Sequence, residues 1–268
     1  MSLLEVNNLR VHGPARELVH GISFSVEPGE RLGLVGESGS GKSLTAMSTV
    51  GLLAHGLRAE GSVLLGGHQV IGQSDRALVP LRGPVAAVVF QDPRSALDPL
   101  MRLGDQLAHP IRRRAKREGR SMSGPQLRAE QLRWLDRVSI ADPERILTSW
   151  PHEVSGGQRQ RIAIAMALAC GPRLLIADEP TTALDVTTQA EVLDLLDTLA
   201  RDEGLALLFI SHDLPVVARI TDRVIVMQHG RAVEEGPVRQ VFTRPRDTYT
   251  QGLVAAAQQL EAAVRGMQ

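Results

Sequence analysis

The stretch that decides the fold occupies positions 36–43 and reads Gly36-Glu37-Ser38-Gly39-Ser40-Gly41-Lys42-Ser43. It fits the pattern G-x-x-x-x-G-K-[ST] of a phosphate-binding loop, whose backbone N–H groups surround phosphate oxygens. The apolar run at residues 32–35 predicts a short strand before the loop, and residues 43–53 predict a helix behind it. A strand, a glycine-rich turn and a helix in this order predict a nucleotide-binding α/β core.

Lys42 is one of only two lysines among the 30 basic residues, and it stands where the loop requires one. A compact ammonium fits between the β- and γ-phosphates of a nucleotide, and the planar fork of arginine does not replace it. We expect Lys42 to contact these phosphates, the Ser43 hydroxyl to ligate Mg²⁺, and Leu44 to belong to the same nucleotide site. The loop alone does not separate an ATPase from a GTPase or a kinase.

A second segment, LLIADEP at residues 174–180, ends its apolar run in two adjacent carboxylates. The four apolar residues predict the interior of a strand, so the carboxylates emerge where that strand ends. We expect Asp178 to hold Mg²⁺ and Glu179 to polarise the water that attacks the γ-phosphate. An ordinary acidic turn is the alternative, which the phosphate loop in the same chain disfavours.

A third segment, VSGGQRQRIAIAMALA at residues 154–169, narrows the class of protein much further. A serine and two glycines precede a long apolar helix and present a hydroxyl and N–H groups to an anion. Because the chain already has its own phosphate loop, this second helix start is expected to bind a different phosphate. The residues assigned to it are Ser155, Gly156, Gly157 and Gln158.

The composition of the 268 residues excludes several other classes. Thirty acidic residues balance the basic ones, and we interpret the basic run at residues 111–120 as a solvated helix face, so nucleic acid is not an expected partner. A single cysteine, Cys170, excludes an internal disulfide and a cysteine-held iron–sulfur cluster. The longest apolar run, residues 162–170, is far shorter than the ~18 residues that span a bilayer. We therefore expect a soluble or peripheral protein.

Strand-like and helix-like segments alternate over most of the chain, which predicts a mainly parallel sheet with helices on its faces. Antiparallel strands are expected in residues 3–28 and in residues 62–71, where the turn is placed at Gly66-Gly67. A further strand is expected in the apolar run at residues 205–210, and helices in the charged stretch 103–149. The predicted fold class is α/β, a RecA-like P-loop core with an antiparallel β subdomain and an inserted α-helical subdomain. The domains are assigned as residues 1–92 with 156–243 for the core, 93–155 for the helical insertion and 244–268 for a short C-terminal tail.

Together these motifs resemble those of the ATP-binding cassette (ABC) transporter ATPases. The resemblance implies binding of ATP and Mg²⁺, with the helix start at Ser155 contacting the γ-phosphate held by a partner subunit. Gln91 in VVFQDP resembles the glutamine that links the Mg²⁺ site to membrane subunits. The ALD triplet that ends at Asp185 resembles the loop that communicates between the two sites. His212 in FISHDL resembles the switch histidine that contacts the γ-phosphate.

Two segments resemble more narrowly the ATPase subunits of peptide permeases and of their nickel-importing relatives. They are FQDPRSALDPLMRLGDQL at residues 90–107 and RPRDTYTQGL at residues 244–253. The second is similar to the R-P-x-H-P-Y-T-x-x-L motif of that group, but Asp247 and Thr248 replace its His-Pro. Near Val11 the family carries an aromatic residue that stacks on adenine, whereas this chain has His12-Gly13. The adenine contact is therefore made by His12 or by a residue of a partner subunit, or it is missing.

The sequence thus predicts an ATP-hydrolysing subunit of an importer, with di- or oligopeptides as cargo and nickel or a metal chelate as the alternative. The expected partners are a second ABC ATPase subunit, identical or different, two membrane permease subunits and, indirectly, an extracytoplasmic substrate-binding protein. The expected location is the cytoplasmic face of the membrane. A DNA-repair or translation ATPase is the alternative of another class, and the short interval between Lys42 and Ser155 disfavours it. The presence of Glu179 and His212 disfavours a regulatory cassette that binds ATP without turnover.

Overall fold

The computed structural model describes residues 2–182 and 184–265. The chain forms two compact units. The first unit joins the residues up to position 79 with those from position 206 onward, and the second unit comprises residues 80–205.

Strands and helices alternate along the described chain, which confirms the predicted α/β fold class. The strands are β1 (Leu4–His12), β2 (Glu17–Val26), β3 (Arg31–Val35), β4 (Arg58–Leu65), β5 (His68–Gln69), β6 (Ala86–Val89), β7 (Leu174–Asp178), β8 (Ala206–Ser211), β9 (Arg223–Gln228) and β10 (Arg231–Pro237). The helices are α1 (Lys42–Ser48), α2 (Asp75–Leu78), α3 (Leu103–Arg117), α4 (Gly124–Arg137), α5 (Pro143–Thr148), α6 (Gly156–Ala169), α7 (Val186–Asp202), α8 (Leu214–Ile220), α9 (Val238–Thr243) and α10 (Thr248–Arg265).

The first unit contains an antiparallel sheet with the strand order β2-β1-β4-β5. Leu4 of β1 lies opposite Val26 of β2 and opposite Leu65 of β4, so the central strand pairs on both sides. β4 and β5 form a hairpin in which Leu65 faces His68 across two glycines. These pairings confirm the antiparallel strands that the alternating pattern and the glycine turn predict.

The first unit also contains strands in the order β10-β9-β3-β8, with β3 parallel to both β8 and β9. β3 is buried except at Arg31, as expected for a parallel strand covered on both faces. Val35 at the end of β3 lies opposite Ser211 at the end of β8. The segments that follow these two strands therefore leave the sheet at the same edge, where α/β proteins bind ligands.

The second unit combines helices α3 to α7 with the parallel pair β6 and β7. Val89, near the end of β6, lies opposite Ala177 of β7, so the residues after both strands leave at one edge. Trp134 of α4 is 2% exposed and forms part of an otherwise aliphatic core. The Gln131 side chain donates to the Gly104 carbonyl at 2.6 Å and joins α4 to α3.

One helix differs clearly from its prediction. α1 ends at Ser48, not near residue 53, because the chain turns at Gly51 with φ 67°. The Leu52 N–H bonds back to the Met47 carbonyl, which satisfies a carbonyl at the helix end. Among the described helices, none combines the length and the apolar character that crossing a membrane requires.

Candidate functional site

The phosphate loop connects β3 to α1 in the first unit and holds its lysine tightly. The Lys42 ammonium donates to the Gly36 carbonyl at 2.7 Å and to the Glu37 carbonyl at 2.8 Å, and lies 3.5 Å from the Ser40 hydroxyl. The residue is only 4% exposed. The loop's own oxygens therefore satisfy the charge, and phosphate oxygens can take their place as acceptors. Ser43 follows in the first turn of α1 and is exposed.

The first residue of the loop has to be glycine. Gly36 has φ 151°, and a Cβ built there would lie 2.1 Å from the Met227 carbonyl oxygen of β9. Any other side chain would collide with backbone that cannot move without breaking the sheet. The strand β9 thus fixes the position at which the loop leaves β3.

His212 follows β8 at the same edge of the first unit as the phosphate loop, and it is exposed. The next residue, Asp213, caps α8 by accepting from the Val216 N–H at 3.2 Å, while its own N–H donates to the Ser211 hydroxyl at 3.0 Å. These bonds hold the turn that carries the histidine. His212 is therefore placed where an end-of-strand contact to a bound phosphate is possible.

The two carboxylates at the end of β7 lie in the second unit and have different surroundings. Asp178 is the last residue of the strand and is 9% exposed. Glu179 has the left-handed φ of 45°, unusual for a residue with a side chain. One oxygen, Oε2, accepts from the Gln91 amide at 3.2 Å and from the Thr182 hydroxyl at 3.0 Å. The structure thus brings Gln91 to Glu179, and two donors fix the orientation of that carboxylate.

The start of α6 is built as predicted for a capped helix. The Ser155 hydroxyl accepts from the Gln158 N–H at 3.2 Å, and the Gln158 side chain accepts from the Ser155 N–H at 3.0 Å. This capping box satisfies two backbone donors and orders the first turn, which contains Gly156 and Gly157. A hydroxyl that accepts one bond retains its own hydrogen for an anion.

A second helix start packs beside the first within the second unit. Asp185 caps α7, because its carboxylate accepts from the Thr188 N–H at 3.0 Å and from the Thr188 hydroxyl at 2.7 Å. These donors, the backbone N–H first, lower the pKa of Asp185 and favour its charged form. A Cβ added at Gly157 would lie 2.5 Å from the Thr188 methyl group. Thr188 therefore bonds to Asp185, the residue predicted to communicate between two sites, and packs closely against Gly157 at the start of α6. Ala183 of the same triplet lies outside the described residues.

His12 ends β1, and its surroundings are those of the antiparallel sheet. Its Nε2 lies 3.4 Å from a Glu60 carboxylate oxygen of β4, without hydrogen-bond geometry. The side chain is 28% exposed, so one part of the ring faces solvent. The role of His12 toward adenine stays a prediction.

Three further residues each contact a predicted site residue within their own unit, although sequence reasoning did not assign them: Thr182, Thr188 and Tyr249. The first two are hydroxyls three residues after a predicted carboxylate, which is the spacing of a local side-chain cap. That spacing is visible in the sequence. The contact of Tyr249 with the phosphate loop joins residues 212 positions apart and has no local signal.

Known proteins are similar to this chain over most of its length. Residues 19–182 match the family model described as ABC transporter. The oligopeptide transport ATP-binding protein OppD of Mycobacterium tuberculosis is 46% identical over 97% of this chain and 43% of its own length. The glutathione import ATP-binding protein GsiA of Pectobacterium atrosepticum is 44% identical over 95% of this chain and 42% of its own length. The chain spans less than half the length of these two relatives.

A solved structure has a similar fold. It is a dimeric, post-hydrolysis state of the ATP-binding cassette MJ0796 bound to ADP and Pi. The TM-score is 0.76 at 27% sequence identity, and the match covers 88% of this chain and 99% of the other.

Proposed function

Because this chain belongs to the ABC transporter family, we propose that it is the ATP-hydrolysing subunit of an importer for di- or oligopeptides. Transport itself proceeds through separate membrane permease subunits. The cargo class is supported by the relative named for oligopeptide transport. The relative named for glutathione import fits the same class, since glutathione is a short peptide. Both names describe transport proteins, and the second names an importer, which favours transport over DNA repair or translation.

The observation that carries the hydrolytic role is the way Glu179 is held. Its carboxylate follows the buried Asp178 and receives two hydrogen bonds on one oxygen, from Gln91 and Thr182. A general base acts efficiently only when its orientation toward water is fixed. Glu179 therefore orients and polarises the attacking water, and Gln91 ties the base to the segment that follows β6.

Nucleotide binding is assigned to the phosphate loop of the first unit. Lys42 exchanges its contacts with the loop carbonyls for the β- and γ-phosphates, and the backbone N–H groups of residues 39–43 surround the phosphate oxygens. His212, at the same edge of the sheet, contacts the γ-phosphate. The nucleotide is ATP, as the names of both relatives indicate for those proteins.

The proposed metal is Mg²⁺, because each of its predicted ligands offers a hard oxygen donor. These are the Ser43 hydroxyl of the first unit and, in the second unit, the Gln91 amide and the Asp178 carboxylate. When bound, Mg²⁺ neutralises charge on the β- and γ-phosphates.

The capped start of α6 is assigned to the nucleotide of a partner ATPase subunit. Ser155 donates its hydroxyl hydrogen, and the first-turn N–H groups add a positive dipole end. The dimeric arrangement of the solved ATP-binding cassette supports such pairing. The remaining partners are two permease subunits and, through them, a substrate-binding protein, with this chain at the cytoplasmic face of the membrane.

Reconstitution of the complex in liposomes tests the proposal. The full chain is assembled with its partner ATPase and permeases, and uptake of labelled short peptides is measured with and without ATP. We expect peptide uptake coupled to hydrolysis, and loss of both in a Lys42→Ala complex. Uptake of a metal chelate in place of peptides would contradict the cargo assignment. Hydrolysis that persists in Lys42→Ala would contradict the nucleotide site.

A further inference from the structure

A tyrosine of the C-terminal region contacts the phosphate loop of the first unit. The Tyr249 hydroxyl accepts a hydrogen bond from the Glu37 backbone N–H at 3.0 Å. Tyr249 lies in the first turn of α10, and Glu37 is the second residue of the loop. The tail is therefore part of the surroundings of the phosphate loop.

The hydrogen bond from the Glu37 N–H to Tyr249 involves a peptide group whose carbonyl also accepts a hydrogen bond. The Glu37 N–H and the Gly36 carbonyl belong to the same peptide plane. The Gly36 carbonyl accepts from the Lys42 ammonium at 2.7 Å. Lys42 and Tyr249 thus fix one peptide between them, and hydrogen bonds at the two ends of a peptide polarise and strengthen each other.

The tyrosine is itself held in place by two carboxylates. Glu234 of β10 accepts from the Arg246 N–H at 3.0 Å and from the Asp247 N–H at 3.1 Å. Asp247 in turn accepts from the Tyr249 N–H at 2.8 Å. Asp247, which stands in place of the histidine of the related motif, therefore caps the helix that carries Tyr249.

We propose that Tyr249 is a positioning residue of the phosphate loop, which holds the Gly36–Glu37 peptide in the orientation that favours ATP binding. This inference rests on the proposed function of the loop. When Lys42 turns to the phosphates, the Gly36 carbonyl loses a donor, and the bond to Tyr249 still holds the peptide plane. A loop that keeps its conformation loses less entropy on binding.

The chemistry of the tyrosine suits this position. Burial raises the pKa of Tyr249, and the Glu37 carboxylate adds to that effect, although the Glu37 N–H opposes it. The phenol therefore stays neutral at physiological pH and does not repel a bound triphosphate.

Removing the hydroxyl alone is the decisive experiment. ATP affinity is measured by calorimetry on the full chain carrying Tyr249→Phe, which keeps the ring. Thr243→Val is the matched control, because it deletes an exposed hydroxyl of α9 that donates to the Arg239 carbonyl of its own helix. We expect Tyr249→Phe to weaken ATP about three- to tenfold, the usual worth of one hydrogen bond. Thr243→Val should leave ATP affinity unchanged.

Two further measurements distinguish positioning of the phosphate loop by Tyr249 from a role that only holds the C-terminal tail in place. Inorganic triphosphate should lose the same factor as ATP, since the effect acts through the loop and not the base. In the assembled complex, the KM for ATP should rise while kcat stays within about twofold, because the loop conformation affects binding more than the chemical step.

A double-mutant cycle tests whether the tail acts through the tyrosine. Asp247→Ala should weaken ATP in the wild-type background and have no further effect beside Tyr249→Phe, since coupled residues are not additive. Equal ATP affinity for wild type and Tyr249→Phe, with the wild type binding ATP, would overturn the inference alone. A wild-type chain that binds no ATP would overturn the proposed function, and the inference with it.

Discussion

Glu179 occupies a backbone conformation that few residues with a side chain adopt, with φ 45°. Such a conformation costs on the order of 1–3 kcal/mol and persists only where neighbouring contacts enforce it. Here the contacts are the bonds from Gln91 and Thr182 to its carboxylate and the bond from the Thr182 N–H to its carbonyl. The residue with this strained backbone is therefore the one that we propose orients and polarises the attacking water.

Replacing Glu179 with glutamine tests that assignment. The substitution keeps the side-chain shape and removes the base, so we expect ATP binding to persist. Hydrolysis in the purified complex should fall by about 10²–10⁴, the usual contribution of a positioned acid–base group. The measurement is phosphate release at saturating ATP. Hydrolysis within about threefold of wild type would show that another group activates the water.

His12 is the residue at which the adenine contact can be tested. Stacking of a base on an aromatic ring is worth about 1–3 kcal/mol, or about fivefold to more than a hundredfold in affinity. If His12 stacks on adenine, His12→Ala should weaken ATP by such a factor and leave inorganic triphosphate binding unchanged. Glu60→Gln is the matched control, since it alters the neighbour of His12 and keeps the ring. Equal losses for both ligands, or none, would exclude stacking.

At the scale of elements, the second unit depends on a close approach of helices. Gly104 of α3 accepts from Gln131 of α4 and faces α5, where an added Cβ would lie 2.5 Å from the Leu147 carbonyl oxygen. The contact involves backbone on both sides, so no side chain can move away to relieve it. A single small residue therefore sets the spacing of three helices.

Gly104→Ala should destabilise the second unit for this reason. Overpacking costs about 1–3 kcal/mol, which corresponds to a fall of about 2–12 °C in Tm for a protein of this size. The measurement is thermal unfolding followed by circular dichroism. Gly124→Ala is the control, because that glycine starts α4 with nothing within 4 Å of an added Cβ. Equal Tm values for the two variants would contradict the close approach.

The elements that local patterns specify could be predicted from the sequence. The apolar runs gave β3, β7 and β8, and the paired glycines gave the turn between β4 and β5, because burial and turn chemistry act over a few residues. The end of α1 was predicted wrongly, since the turn at Gly51 outweighs the apolar residues that follow it. The contact of Tyr249 with Glu37 could not be predicted, because it depends on how α10 lies against β10 and the loop.

At the scale of the whole molecule, the chain carries two places built for phosphate. One is the loop that contains Lys42, and the other is the capped start of α6 at Ser155. We propose that the second serves a nucleotide on a partner subunit, so that each complete active site needs two chains. The proposal predicts that the isolated chain is a poor ATPase.

Ser155→Arg should separate the two roles. The bulky cation removes the cap and obstructs the α6 start, so turnover at the partner's site should be lost. ATP affinity of the chain's own loop, measured by calorimetry, should stay within about twofold of wild type. A strictly monomeric sample that hydrolyses ATP at the rate of the complex would contradict the shared site.

The aromatic residues have a practical consequence for spectroscopy. Both tryptophans, Trp134 and Trp150, belong to the second unit, and the one tyrosine of the chain, Tyr249, belongs to the first. Indole fluorescence, excited on the long-wavelength side of the phenol band, therefore reports on the second unit alone, with no label attached. Denaturation followed through this fluorescence and through the circular dichroism of the whole chain would reveal whether the two units unfold in a single cooperative transition or in separate steps.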